Sequence, residues 1–375
     1  MAGIYIHIPF CKSICNYCDF YSVIDEGNHK RFINVVIKEA KLRKDYLSGE
    51  SISTIYFGGG TPSVLRLNEL NNILVSIYEL FDVEKDCEIT IELNPDDVNF
   101  GWLSGLRKAG FNRLSYGIQS WNDNILKMLN RRHNSAQAAK AIEDSERAGF
   151  ENISVDLIYG IPGYGSENWE RDLNITLRYN IKHLSAYHLT IESGTLFSKM
   201  KKEGRLKEID EEESNNQFNL LIEKTASAGF IQYEISNFAK DGWFSRHNSN
   251  YWKQVMYLGV GPSAHSFNKI SRQWNISHIE KYISALESNK LLFRKEELSL
   301  RTRFNEYIMT SLRTMWGIDL GYVENNFEKE GYDYIINLSK KFISYGLMRM
   351  EGNSLILTNT GKMISDNIIS EFIMV

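Results

Sequence analysis

A short run rich in β-branched and aromatic residues recurs six times in the first half of the chain, at residues 4–8, 54–57, 88–93, 113–117, 153–159 and 183–189. Between these runs lie stretches whose apolar residues follow helical spacing, at 31–46, 67–81, 102–109, 136–148 and 169–179. Connections this long cannot be hairpins, whereas parallel neighbours need a crossover of about a dozen residues or more, usually a helix. The series therefore predicts an α/β fold with a parallel sheet, curved into a partial (β/α)6 barrel. Such sheets bind ligands at the carboxyl ends of their strands. Four of the five prolines sit just after one of the runs, which marks those ends.

Charge and apolar patterning exclude several classes. Lys and Arg number 43 against 47 Asp and Glu, a net charge of −4, which offers no electrostatic basis for binding nucleic acid. No stretch approaches the roughly 18 apolar residues of a transmembrane segment, and the start, MAGIYIHIPF, lacks the features of a secretory signal. A cytoplasmic protein is expected, with membrane association only through a partner. The acidic run at 208–213 reads as the solvated first turn of a helix. From residue 299 the pattern changes to helices, a hairpin at 347–357 turning at Gly352 and Asn353, and another helix, the order of a winged-helix-like module. Eight Lys or Arg against nine Asp or Glu there suit packing or docking better than DNA. The expected organisation is a core barrel over 1–235, a connecting segment over 236–298 and a mostly helical winged-helix-like domain over 299–375.

Three of the four cysteines, Cys11, Cys15 and Cys18, fall in the loop after the first strand as C-x-x-x-C-x-x-C. That crowding indicates a metal site in a reducing compartment. Three thiolates can hold three irons of a 4Fe-4S cluster and leave the fourth iron open to a ligand. The alternative is structural zinc, which wants four ligands and usually paired C-x-x-C. His7 could be the fourth, but its place in an alternating strand favours a core or hydrogen-bonded histidine. Cys87 reads as a small buried apolar residue.

The cysteine triad, with Tyr17 before Cys18 and a βα series around it, resembles the signature of the radical S-adenosylmethionine (SAM) family. Phe57-Gly58-Gly59-Gly60-Thr61-Pro62, after the second strand, is similar to that family's loop around the methionine moiety. The resemblance implies that SAM chelates the open iron and that one electron from the reduced cluster breaks its sulfonium bond. It also implies SAM contacts from Tyr5, Gly59, Gly60, Thr61, Glu92, Gln119, Arg131 and Asp156. Carboxylates, an amide and a guanidinium suit the diol, ammonium and carboxylate of SAM.

HIPFC, YCDF, GGGTP, IELNP, YGIQS, DLIYGIPG, YEISNFA and HNxxYW, spread over residues 7–252, further resemble the branch of oxygen-independent coproporphyrinogen oxidases and HemW-type heme chaperones. The oxidases carry a fourth cysteine two residues after the triad and a long N-terminal extension; here that position is Phe20 and ten residues precede Cys11. The chaperone reading is therefore preferred, with oxidative decarboxylation of coproporphyrinogen III, a step of porphyrin metabolism, as the alternative. It implies heme as cargo, an electron donor for the cluster and a membrane respiratory enzyme as acceptor. His247, Asn248, Tyr251 and Trp252 of the HNxxYW motif are the expected heme contacts, His247 offering an axial ligand and the aromatics a porphyrin surface. His265 is a second candidate ligand that reads more readily as structural.

Overall fold

The computed structural model describes residues 1–24, 27 and 29–374. Each expected strand is there, five of them extending past the apolar run and the sixth ending one residue short of it: β1 (Ala2–Ile8), β2 (Ile52–Gly59), β3 (Val83–Leu93), β4 (Arg113–Gln119), β5 (Asn152–Tyr159) and β6 (His183–His188). They lie in sequence order, each parallel to the next. The helices between them, His29–Leu42, Leu67–Leu80, Phe100–Lys108, Ser135–Arg147 and Ser166–Thr176, match the helical periodicity to within a few residues. Strand alternation divides the residues between two faces. Ile4, Ile6, Ile55, Phe57, Ile91, Leu114 and Val155 join the helices in the main core. Residues of opposite parity, among them Tyr56, Glu92, Arg113, Ser115, Asp156 and Ser185, line the cavity inside the barrel.

Among the described residues the sheet has twelve strands. The other six are β7 (Ile231–Glu234), β8 (Asn237–Ala239), β9 (Tyr257–Val260), β10 (His265–Phe267), β11 (Ser271–Asn275) and β12 (Phe293–Glu297). The order is β12-β11-β10-β9-β1-β2-β3-β4-β5-β6-β8-β7. β9 adds a parallel strand at the β1 edge, and the rest are antiparallel. Segment 236–298, expected as a connection, thus supplies five strands of the sheet. They are three to five residues long, and all of β12 is exposed, so no apolar alternation announces them.

A buried polar network clamps this extension to the barrel. Arg43, on the turn after the first helix, donates to Glu39 at 3.2 Å, to the Gly259 carbonyl at 3.1 Å, to Ser266 Oγ at 3.1 Å and to Gln273 Oε1 at 2.8 Å. Glu39 in turn accepts from the Gly261 amide, Asn275 Nδ2 and the Tyr282 hydroxyl.

The C-terminal region has a core of its own, built from Phe304, Ile308, Val323, Ile335, Phe342, Leu355 and Phe372 among others. Helix Leu300–Leu312 leads to β13 (Ile318–Asp319), helices Leu320–Asn326 and Glu328–Ser344, and the hairpin β14 (Met348–Glu351) and β15 (Ser354–Leu357). This is the winged-helix order. Gly352 turns the hairpin at φ 57°. Within the acidic run Asp210 caps the helix Glu211–Ser227 by accepting from the Glu213 amide, and Glu211, Glu212 and Glu213 form the first turn as expected. No described helix is long and apolar enough to cross a membrane.

Arg43→Met should strand the buried Glu39 carboxylate and cost about 3–5 kcal/mol of stability. Urea unfolding of the full chain measures the loss; a change within error would mean that the network does not clamp the extension.

Candidate functional site

The carboxyl ends of β1 to β6 surround a cavity of about 440 Å³. Cys11, Cys15 and Cys18 line it, as do Gly59, Gly60, Thr61, Glu92, Gln119, Arg131 and Asp156, so the barrel gathers residues spread over 146 positions of sequence. All four cysteines are unpaired thiols. Cys11 Sγ lies 3.3 Å from Thr61 Oγ1, and Arg131 Nη1 lies 3.5 Å from Cys15 Sγ. Cys87 is buried in the main core, away from the triad, as its sequence context suggested.

The glycine loop is shaped by close approach. A Cβ on Gly60 would lie 2.8 Å from the backbone of Pro9 and Phe10, and one on Gly59, at φ 110°, would lie 2.7 Å from the His7 ring. The loop can pass under the cysteine segment only without side chains. Its Gly59 amide donates to Glu92 Oε2 at 3.1 Å, and Glu92 Oε1 accepts from the Tyr56 hydroxyl at 2.8 Å. Gln119, at the end of β4, holds φ 70°, a conformation that non-glycine residues adopt at some cost.

The interior is electrostatically tense. Burial pushes the Glu92 carboxyl up to about 7, with the Asp156 charge adding to the effect and the Tyr56 hydrogen bond opposing it. Burial likewise raises Asp156 to about 6, against its hydrogen bonds to Ser185 and Ser115. Arg113, 1% exposed on the floor of the cavity, lowers both values through its charge. Among the described residues its Nε, and that of Arg131, is buried without a hydrogen-bond partner. Two guanidinium donors are thus free for an anionic ligand group. Sequence reasoning missed Arg113; the available signal was its parity, which it shares with Ser115 and Gly117 on the inner face of β4.

Tyr5 is not brought to this cavity. It lines a second one, of about 560 Å³, on the β9 side of β1, with its hydroxyl 3.1 Å from His7 Nδ1. His7 is 4% exposed and its Nε2 meets the Tyr21 carbonyl at 2.9 Å, the hydrogen-bonded core histidine its strand position implied.

The HNxxYW motif lies on the helix Arg246–Trp252. Glu88 accepts from the backbone amides of Arg246 and His247, both at 3.0 Å, and so fixes the helix N-terminus to β3. His247 is 2% exposed. Its Nδ1 lies 2.8 Å from Thr54 Oγ1, its Nε2 lies 2.8 Å from the Tyr251 hydroxyl, and its ring stacks on Tyr56 at 4.9 Å. Burial, reinforced by the Arg113 charge, lowers its pKa to about 3, so it is neutral. Both ring nitrogens are engaged, and neither faces open space. The motif's other members diverge: Asn248 reaches the cysteine cavity, while Tyr251 and Trp252 line the second cavity. Asp19 and Phe20, just after the triad, form a wall common to both.

Comparison with known proteins fits this geometry. The Radical SAM superfamily profile matches residues 5–175. Proteins named Heme chaperone HemW from Bacillus subtilis and Lactococcus lactis are 30% and 31% identical; the first match covers 100% of this chain and 99% of the relative, the second 99% and 97%. The bovine mitochondrial radical S-adenosyl methionine domain-containing protein 1 is 35% identical over 70% of this chain and 60% of its own. Among solved structures, coproporphyrinogen III oxidase (HemN) of Escherichia coli has a TM-score of 0.86 at 21% identity, covering 100% of this chain and 90% of that one, a likeness of fold.

A raised carboxyl pKa means that the folded state binds a proton more tightly than the unfolded chain, so its stabilising contribution is complete below about 4.5 and is lost as pH rises through about 7. Ligand-free protein should therefore lose thermal stability between pH 5 and pH 8, and Glu92→Gln should remove part of that loss. Melting curves at the two pH values check this; parallel slopes for wild type and variant would contradict it.

Proposed function

The chain belongs to the radical SAM superfamily and, within it, to the HemW family, and from that membership we propose that it is a heme chaperone, binding heme and passing it to an acceptor such as a membrane respiratory enzyme. The observation that carries this reading is the full-length match to relatives of that name. Phe20, at the position where the oxidases carry a fourth cysteine, argues against the decarboxylase alternative.

The residues fit the two groups that the family implies. Cys11, Cys15 and Cys18 line one cavity. Separate thiolates, each on its own iron, suit a 4Fe-4S cluster better than zinc. The unpartnered Arg113 and Arg131 Nε atoms suit the carboxylate of SAM, and Glu92 and Asp156 suit its hydroxyl and ammonium donors. Gly59, Gly60 and Thr61 let the ligand approach the backbone, and Gln119 offers an amide at the rim. Bound together, the two groups supply one-electron chemistry at the sulfonium when an external donor reduces the cluster. The chain's own residues bind and orient the ligand and shield it from water. Tyr251 and Trp252 offer aromatic surface to the heme in the neighbouring cavity.

Anaerobically reconstituted protein should hold about four irons and four sulfides per chain. Cys11→Ala, Cys15→Ala and Cys18→Ala should each abolish this, and Cys87→Ala should not. SAM should perturb the paramagnetic spectrum of the reduced cluster, less so in Glu92→Ala or Asp156→Ala, with iron content unchanged. Parallel anaerobic incubation with heme and with coproporphyrinogen III tests the function itself. Heme binding with release to an apo acceptor, and no decarboxylation, is the expected result. Turnover to protoporphyrinogen IX would instead establish the oxidase alternative.

A further inference from the structure

Three histidines surround the cavity on the β9 side of β1, and they differ in what their ring nitrogens can still do. His7 spends both on Tyr5 and Tyr21. His247 spends both on Thr54 and Tyr251 and lies behind the wall instead of in it. His265, the first residue of β10, is exposed and lines the cavity, and neither of its nitrogens has a hydrogen bond among the described residues. Its ring is nonetheless oriented. The cross-strand neighbour Trp274 stacks on it with centroids 6.1 Å apart and planes 19° from parallel. The turn before it, Gly261-Pro262-Ser263-Ala264, places Ser263 at φ 66°, a strained conformation on the cavity wall.

Resting on the heme-chaperone reading, we infer that this second cavity is the heme pocket and that His265, not His247, supplies the axial ligand to the iron. The volume of about 560 Å³ falls within the range of ligand pockets. Its aromatic wall is continuous: Tyr251 meets Tyr257 edge-on at 4.6 Å, and Tyr257 lies 6.2 Å from Phe267. A flat porphyrin face packs well on such a wall. Arg272 lines the same pocket, ion-paired with Glu306, and among the described residues that is the one hydrogen bond of its five N–H donors. Its remaining donors suit a propionate. His247 becomes a positioning residue: through its Nε2 it fixes the Tyr251 ring that forms the pocket wall. Phe20, 68% exposed, stands between this pocket and the cysteine cavity, which puts bound heme next to the cluster loop.

Anaerobic titration of the full-length, cluster-loaded protein with hemin, followed by absorption and paramagnetic spectra, tests the assignment. His265→Ala should lose the histidine-ligated spectrum and weaken binding by about tenfold or more, with iron and sulfide content unchanged. Free imidazole added to that variant should restore the spectrum. His247→Gln, which keeps hydrogen-bonding capacity, should retain axial ligation. A wild-type spectrum from His265→Ala, or loss of axial ligation in His247→Gln alone, would overturn the assignment while leaving the chaperone reading intact. Failure of wild-type protein to bind heme would overturn both.

Discussion

Arg113 is buried, and Glu92 and Asp156 are half-buried beside it, on the inner face of a parallel sheet, and much of the architecture follows from accommodating them. Charges removed from water are costly unless paired and hydrogen-bonded. Here the pairing is incomplete: the carboxyl groups are driven toward their neutral forms, and the Arg113 Nε has no partner. The apolar face of each strand supplies the compensating stability by packing against the helices. A ligand carrying both an ammonium and a carboxylate would complement the carboxyl groups and the guanidinium together.

The helix Arg246–Trp252 extends this logic to a second space. Glu88 holds its N-terminus, and His247 is stacked against Tyr56 beneath the barrel interior. From that anchored core Asn248 points to one cavity and Tyr251 and Trp252 to the other. The motif's members thus line two different cavities on either side of a partition. Asp19 and Phe20 belong to the same partition, so occupancy of either cavity bears on a shared wall.

The strand extension β9 to β12 makes the second cavity possible. It continues the sheet past β1 and is fixed by Arg43 and Glu39, which reach Gly259, Gly261, Ser266, Gln273 and Asn275. His265 and Arg272 sit on two of those strands and owe their positions to that clamp.

The amino-acid order alone determined the six βα units, because period-2 and period-3.6 patterning is a local property that burial on one face imposes along each element. It also determined the cysteine triad, the glycine loop and the strand-end polar residues, since a parallel sheet must bring the ends of its strands together. Cys87 and His7 were legible for the same reason: each sits in an alternating strand whose parity states its fate. Only the tertiary structure decided which polar residues share a cavity. Arg113 reads as an ordinary strand-start charge until β3 and β5 flank it. Tyr5 lines the cavity on the β9 side of β1, with its ring 6.1 Å from that of Tyr56 in the cysteine cavity. Among the described residues His247 has both ring nitrogens engaged by Thr54 and Tyr251 while His265 has neither engaged, a difference that no reading along the chain discloses. Side-chain chemistry and periodicity are written residue by residue, but burial and partner availability are properties of contacts between segments far apart in the chain.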